Sequence, residues 1–247
     1  MLKAMTNRLA LAMLACAASL LAHAAQAVDC ATSGKPAFTT CRVDLRKESL
    51  RLYYADADGA NYGSFERLQK SLAHKQKRLV FAMNAGMFHP DMKPVGLLVI
   101  DGREFAAINR AMSFGNFYLQ PNGVFLIDAA GARVLSTDEY RNLAPTFATQ
   151  SGPMLVHRGQ IPDIPAFRAR SASRRIRNGV CAPTPAQAIF VISEAAVTFA
   201  EFAAYFRDQL GCGEALYLDG SISSLFAPEL ERADARAKLG PIFAVVK

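Results

Sequence analysis

Eight short apolar runs of strand length punctuate this chain: Leu50 to Tyr54, Leu79 to Met83, Gly96 to Ile100, Gly123 to Ile127, Met154 to Val156, Ile189 to Ile192, Leu216 to Leu218 and Ile242 to Val246. β-Branched and aromatic residues are frequent in them and turn-forming residues flank them, so the chain is constrained to a sheet-rich fold. Two segments depart from this pattern. Thr198 followed by Glu201 has the spacing of a capping box, Phe199, Phe202, Ala203, Phe206 and Leu210 form a stripe at helical spacing, and Gly211 supplies a stop. An earlier helix is expected after Ser64, burying Phe65, Leu68 and Leu72.

Many strands and few helices, without repeats or a linker, predict a single α+β domain built on a mixed sheet. The order strand, helix, strand from Ala188 to Asp219 predicts a right-handed parallel crossover. Glu194 and Asp219 would then emerge at the same sheet edge, where ligands commonly bind in open α/β sheets.

Lys3 and Arg8, an apolar run from Leu9 to Leu21 and the small residues Ala25-Gln26-Ala27 read as a secretory signal peptide spanning residues 1–27, with the domain occupying 28–247. No later segment is long and apolar enough to span a bilayer as a helix. The expected location is outside the cytoplasm, in the periplasm. The chain carries 28 Lys and Arg against 21 Asp and Glu, and losing Lys3 and Arg8 lowers its formal charge from +7 to +5. That mild excess suits a soluble protein and permits an anionic substrate. Cys30, Cys41, Cys181 and Cys212 remain after cleavage, and an even count in an exported chain favours disulfides. Pairing Cys30 with Cys41 and Cys181 with Cys212 closes two compact segments.

Chemistry concentrates where Tyr217-Leu218 delivers Asp219 into the turn Gly220-Ser221. Glycine admits close backbone approach, and the serines offer donors and acceptors. Three further polar, glycine-bearing tips occur: Asn84-Ala85-Gly86-Met87-Phe88, Gln150-Ser151-Gly152-Pro153 and Arg177-Asn178-Gly179-Val180. Each alone is an ordinary turn; four of them predict a shared polar cleft. Arg168, Arg170, Arg174, Arg175 and Arg177 lie within ten positions, but strand alternation would let only a couple converge on one ligand, and no aromatic interleaving accompanies them. Nucleic acid is therefore not the expected partner, and Arg177 is read as a clamp on one phosphate or carboxylate. His74, His89 and His157 lack ligand-like spacing, and no cofactor is required by the residues. Tyr217, Phe88 and Phe114 are available as sugar-stacking surfaces in a chain without Trp.

Taken in order, the four tips resemble the signature blocks of the phosphodiester glycosidase family, and Gly115-Asn116-Phe117-Tyr118-Leu119-Gln120-Pro121-Asn122-Gly123-Val124-Phe125 is similar to its short bacterial exported branch. The resemblance covers roughly residues 45 to 245. Asn84, Gly86, Phe88, Arg177, Asp219, Gly220 and Ser223 keep the family pattern. Ala85, Met87, Ser221 and Ile222 depart from it, and the last two narrow the space around the turn.

The resemblance implies hydrolysis of the glycosidic bond of a sugar-1-phosphodiester, with a phosphorylated carbohydrate as substrate. Asp219 and Glu194 are the expected catalytic carboxylates, and their roles can be exchanged. Asn84, Gly86, Gln150, Ser151, Gly152, Arg177, Asn178, Gly220 and Ser221 are the expected binding residues. Two alternatives stay open: a noncatalytic binder of a phosphorylated glycan or wall polymer, and a phosphodiesterase acting at phosphorus, usually with a divalent metal.

Overall fold

The computed structural model of the chain describes residues 28–141, 143–168 and 173–247. The expected signal peptide and Arg170 lie outside the described residues. The first sheet contains β1 (Val28–Ser33), β2 (Phe38–Asp44), β10 (Met154–Val156), β11 (Asn178–Thr184), β12 (Gln187–Ser193) and β13 (Ala215–Asp219), in the order β1-β2-β12-β11-β13-β10. The second contains β3 (Leu50–Tyr53), β4 (Leu79–Asn84), β14 (Leu225–Ala227), β15 (Arg232–Ala233) and β16 (Ile242–Val246), in the order β15-β14-β4-β16-β3. The third contains β5 (Leu98–Ile100), β6 (Arg103–Ala106), β7 (Gly123–Asp128), β8 (Gly131–Ser136) and β9 (Phe147–Ser151), in the order β6-β5-β9-β7-β8. All eight apolar runs became strands, with ends shifted by up to two residues.

The sheets share one core because their inward residues meet. Phe190 of the first sheet, Phe81 and Phe243 of the second and Phe125 of the third form a ring cluster with centroid separations of 5.2 to 6.0 Å. Each such pair contributes about 0.5–1.5 kcal/mol beyond the burial of its area. In β3 the period of two is direct: Leu50 and Leu52 are buried while Arg51 and Tyr53 are partly exposed.

Helix α1 (Phe65–Ala73) starts where the Ser64 hydroxyl accepts from the Arg67 N–H, and it buries Phe65, Leu68 and Leu72 against Leu79, Ala82 and Ile242. Helix α2 (Phe199–Ala204) carries the expected capping box: Thr198 Oγ1 accepts from the Glu201 N–H, and Glu201 Oε2 accepts from the Thr198 N–H at 2.7 Å. A π-helical turn, Tyr205–Gln209, extends it, and Gly211, at φ +65°, ends it in the left-handed region.

Two fold expectations need correction. Every strand pairing among the described residues is antiparallel, so the sheets are not mixed. The strands flanking α2 do run parallel to each other, but β11 lies between them and pairs antiparallel with both. The connection therefore passes over an intervening strand. Gly179 and Pro183 hid β11 from a search for apolar runs, so its first residues read as an isolated tip.

Both expected disulfides are present. Cys30 and Cys41 face each other across the β1–β2 ladder, while Cys181 on β11 is joined to Cys212 after α2.

Candidate functional site

The antiparallel order sets the position of the polar tips. Asn178, the first residue of β11, is in register with Ile192 near the end of β12 and with Asp219 at the end of β13. Asn84 ends β4, and Ser151 ends β9. The structure brings these ends together. Asn178 Nδ2 donates to Asn84 Oδ1 at 3.1 Å and to the Asn84 carbonyl at 3.0 Å. Asn84 Oδ1 also accepts from the Ser224 N–H at 2.8 Å. Ser223 Oγ lies 3.0 Å from the Asp219 carbonyl and 3.2 Å from Asn178 Oδ1, and Ser151 Oγ donates to the Leu218 carbonyl at 3.0 Å.

This lock spans all three sheets, and it is internal. Asn84, Gln150, Ser151 and Asn178 are buried. Gln150 uses its whole amide: Nε2 donates to the Asn109 carbonyl and Thr137 Oγ1, while Oε1 accepts from the N–H groups of Leu97 and Asn109. Gly86 packs against the Gln150 carbonyl, and Gly152 against the Phe117 carbonyl. These residues sit behind the site, where they hold the strand ends together.

Asp219 stands at the front. Its Oδ1 accepts from the backbone N–H groups of Ser221 and Ile222, the latter at 2.8 Å, which closes the turn. Burial pushes its carboxyl above the ordinary aspartate value of 3.8, and the N–H groups of Ile222, Ser221 and Gly220 pull it back in part. Asp219, Ser221 and Ile222 border a cleft of about 410 Å³. Phe88, Phe114, Phe117 and Tyr118 supply aromatic lining, and His89 and Asn116 add polar groups. A larger hollow of about 640 Å³ lies between the β1–β2 turn and α2, lined by Lys35, Arg42, Glu201 and Asp208 among others. It contains none of the converging strand ends, so the smaller cleft is the better candidate.

Two expected site residues lie elsewhere. Arg177 is fully buried. Its Nε donates to the Val197 carbonyl at 2.9 Å, Nη1 to the Tyr217 hydroxyl at 3.2 Å and Nη2 to the Ser173 carbonyl at 2.8 Å, with the guanidinium 3.7 Å from the centre of the Phe199 ring. Burial lowers its pKa from the ordinary arginine value. Arg177 presents no exposed surface to an external phosphate, and each of its three nitrogens already donates within the protein. Glu194 Oε1 accepts from Thr39 Oγ1 and from Arg232 Nη1 at 2.6 Å, and it does not line the Asp219 cleft. With β11 between β12 and β13, the ends that carry Glu194 and Asp219 are two strand spacings apart, about 10 Å.

Sequence reasoning passed over Arg175. Its Cβ lies 3.4 Å from the position a Cβ on Gly220 would occupy, and its exposed guanidinium bonds to the Arg174 carbonyl at 3.0 Å. Arg174 is paired with Glu201 at 2.8 Å. Arg175 is thus an exposed cation beside the turn. His89 and Asn116 were also missed as lining groups, although Asn116 stands in the quoted Gly115-Asn116-Phe117-Tyr118 block.

A buried carboxylate on a strand-end turn thus borders an aromatic-lined cleft on an antiparallel three-sheet scaffold. Sequence comparison defines the family: residues 77–242 match the phosphodiester glycosidase model, and the chain belongs to that family. It is 34% identical over 206 residues to the uncharacterized protein YigE of Escherichia coli (strain K12), covering 82% of this chain and 80% of that one. Its fold is similar to the catalytic domain of zebrafish N-acetylglucosamine-1-phosphodiester alpha-N-acetylglucosaminidase, solved in a form auto-inhibited by its pro-peptide. That match has a TM-score of 0.58 and 13% identity over 88% of this chain and 81% of that one. A candidate exported protein from Burkholderia pseudomallei K96243 matches with a TM-score of 0.54 and 13% identity, over 85% and 73% of the two chains.

Proposed function

We propose that the protein hydrolyses the glycosidic bond of a sugar-1-phosphodiester, releasing the sugar and a phosphomonoester. The observation that carries this reading is the Asp219 carboxylate, buried by its turn yet bordering an aromatic cleft in a chain of this family. A sugar ring would lay an apolar face on Phe88, Phe114 or Tyr118, with its phosphate toward Arg175. Asp219 Oδ1 is engaged by the turn, and Oδ2 would take a proton from water as that water attacks the anomeric carbon. The C–O bond electrons leave with the phosphate oxygen. The phosphomonoester is stable as an anion, so one carboxylate is enough where ordinary glycoside hydrolysis uses two. Glu194, held by Arg232, has no part in this scheme, and the other buried polar residues act by fixing the strand ends.

The signal-like segment and the two disulfides support export to an oxidising compartment such as the periplasm.

Purified protein incubated with a panel of sugar-1-phosphodiesters in oxygen-18 water tests the reaction. Label in the released sugar supports it; label in the phosphate points instead to attack at phosphorus. Asp219 is the one carboxylate lining the cleft among the described residues, which favours one other reading, a binder of phosphorylated glycan. Saturable binding without product release by the wild-type protein would establish that alternative.

A further inference from the structure

We propose that residues 111–115 form a strap that closes over the ligand in the Asp219 cleft, laying Phe114 and Met112 on the outer face of its sugar. The assignment rests on reading that cleft as a sugar-1-phosphodiester site. Among the described residues the exposed large hydrophobic side chains are Phe105, Met112 and Phe114, and the last two are 89% and 99% exposed. A single exposed apolar side chain is ordinary, so position decides its meaning. Phe114 borders the same cleft as Asp219, Phe88 and Tyr118, yet almost its whole surface is in water.

Both feet of the strap are fixed. At one, the Asn109 N–H donates to Gln150 Oε1 at 2.8 Å, the Asn109 carbonyl accepts from Gln150 Nε2 at 2.7 Å, and Arg110 Nη1 donates to the Thr137 carbonyl at 2.7 Å. At the other, Asn116–Tyr118 forms a short 3₁₀ turn, Phe117 is buried, and the Phe117 carbonyl accepts from Asn122 Nδ2 at 3.0 Å. Between the feet, Met112, Ser113 and Phe114 make no hydrogen bond to the other described residues. Gly115 supplies a hinge beside Phe114. Its φ of +104° and ψ of 167° lie in a region that glycine alone adopts readily, and a Cβ there would meet nothing within 4 Å, so the glycine serves conformation rather than space. A sugar ring seated on Phe88 or Tyr118 turns its second face outward. Covering that face with Phe114 and Met112 takes the apolar surface of all three groups out of water together, and favours ligands whose outer face is apolar.

The chain has no Trp, so Phe114→Trp places a single indole on the strap. Asp219→Asn serves as the parent so that turnover does not interfere, and the methyl ester of a hexose 1-phosphate is the probe. Its binding should shift the Trp emission to the blue and lower acrylamide quenching about threefold, as the indole leaves water. Phe105→Trp, on β6 and outside the cleft lining, should show neither change. In calorimetry, Met112→Ser/Phe114→Ser in the same parent should weaken the probe about tenfold with the melting temperature unchanged, because both side chains are exposed in the free protein. Binding of the probe with the indole still exposed, or equal affinity in the double serine variant, would overturn the strap while leaving the reading of the cleft intact. A blue shift produced by phosphatidylglycerol vesicles, or by raising the protein concentration, with none from the probe, would overturn it in favour of a membrane or a second copy of the chain. If the wild-type protein and the Asp219→Asn parent both fail to bind the phosphodiester, the reading of the cleft falls and takes the strap with it.

Discussion

Gly220 lies directly over the Tyr217 hydroxyl: a Cβ at position 220 would stand well inside van der Waals contact with that oxygen. The glycine is needed for space, since its φ is not in the left-handed region. Gly220→Ala is therefore expected to destabilise the protein by about 1–3 kcal/mol, the usual range for overpacking, and to displace Asp219. The ring carbon Cζ of Tyr217 lies 3.3 Å from the same point, a contact that small shifts can accommodate. Tyr217→Phe should accordingly recover part of the loss in the double variant. Urea unfolding of the two single variants and the double one measures the coupling, and strict additivity would remove the steric explanation.

Asp219 sets stability against activity. Its folded-state pKa is raised by burial, so the folded chain holds this proton more tightly than the unfolded chain does. That stabilisation is fully present below the unfolded value and is lost as pH rises through the folded one, leaving a buried charge as a net cost at pH 7. Asparagine is neutral, and its Oδ1 can still accept from Ser221 and Ile222. Asp219→Asn should therefore melt at a higher temperature than wild type at pH 7, with the difference shrinking toward pH 4. Its turnover should fall by at least a hundredfold. A lower melting temperature at pH 7 would mean that the turn depends on the charge.

Arg177 and Arg175, two positions apart, should respond in opposite ways. Arg177→Met leaves the Ser173 carbonyl without its guanidinium donor and the Val197 carbonyl with the Arg175 N–H alone, and should cost on the order of 3 kcal/mol in urea unfolding. Arg175→Ala changes an exposed side chain and should alter stability by no more than about 0.5 kcal/mol. It should nevertheless raise KM for a phosphodiester about tenfold. Equal KM in wild type and Arg175→Ala would withdraw Arg175 from the phosphate site.

The contrast between these arginines shows what was legible in the sequence. Strands whose buried faces are apolar were visible, as in β4 and β12. β9 was not, because it buries Thr149, Gln150 and Ser151, and a search for apolar runs passes over a strand satisfied by polar contacts. The same limit applied to the site. Asp219 stood out through its glycine turn, and the polar tips do converge. Whether a polar group faces ligand or protein depends on partners distant in the chain: Gln150 is engaged by residues 41 and 53 positions away, and Glu194 by Thr39, 155 positions away. Local sequence does not encode those pairings, so buried scaffold and ligand-facing residues looked alike.

The Cys181–Cys212 bridge bears on this scaffold, because it ties β11 to the segment following α2, and β11 begins with Asn178 of the lock beneath Asp219. Its ends are 31 positions apart, against 11 for Cys30–Cys41. In the chain-entropy treatment these loops correspond to about 4 and about 3 kcal/mol, so replacing Cys181 and Cys212 with serines should cost slightly more than replacing Cys30 and Cys41. The larger difference should appear in local opening. Removing Cys181–Cys212 frees the connection between β12 and β13, while removing Cys30–Cys41 frees an edge hairpin remote from Asp219. Native-state hydrogen exchange should therefore show faster exchange at the β11 and β13 amides in Cys181→Ser/Cys212→Ser only. Equal protection of those strands in both variants would show that the hydrogen-bonded lock holds the strand ends without the bridge.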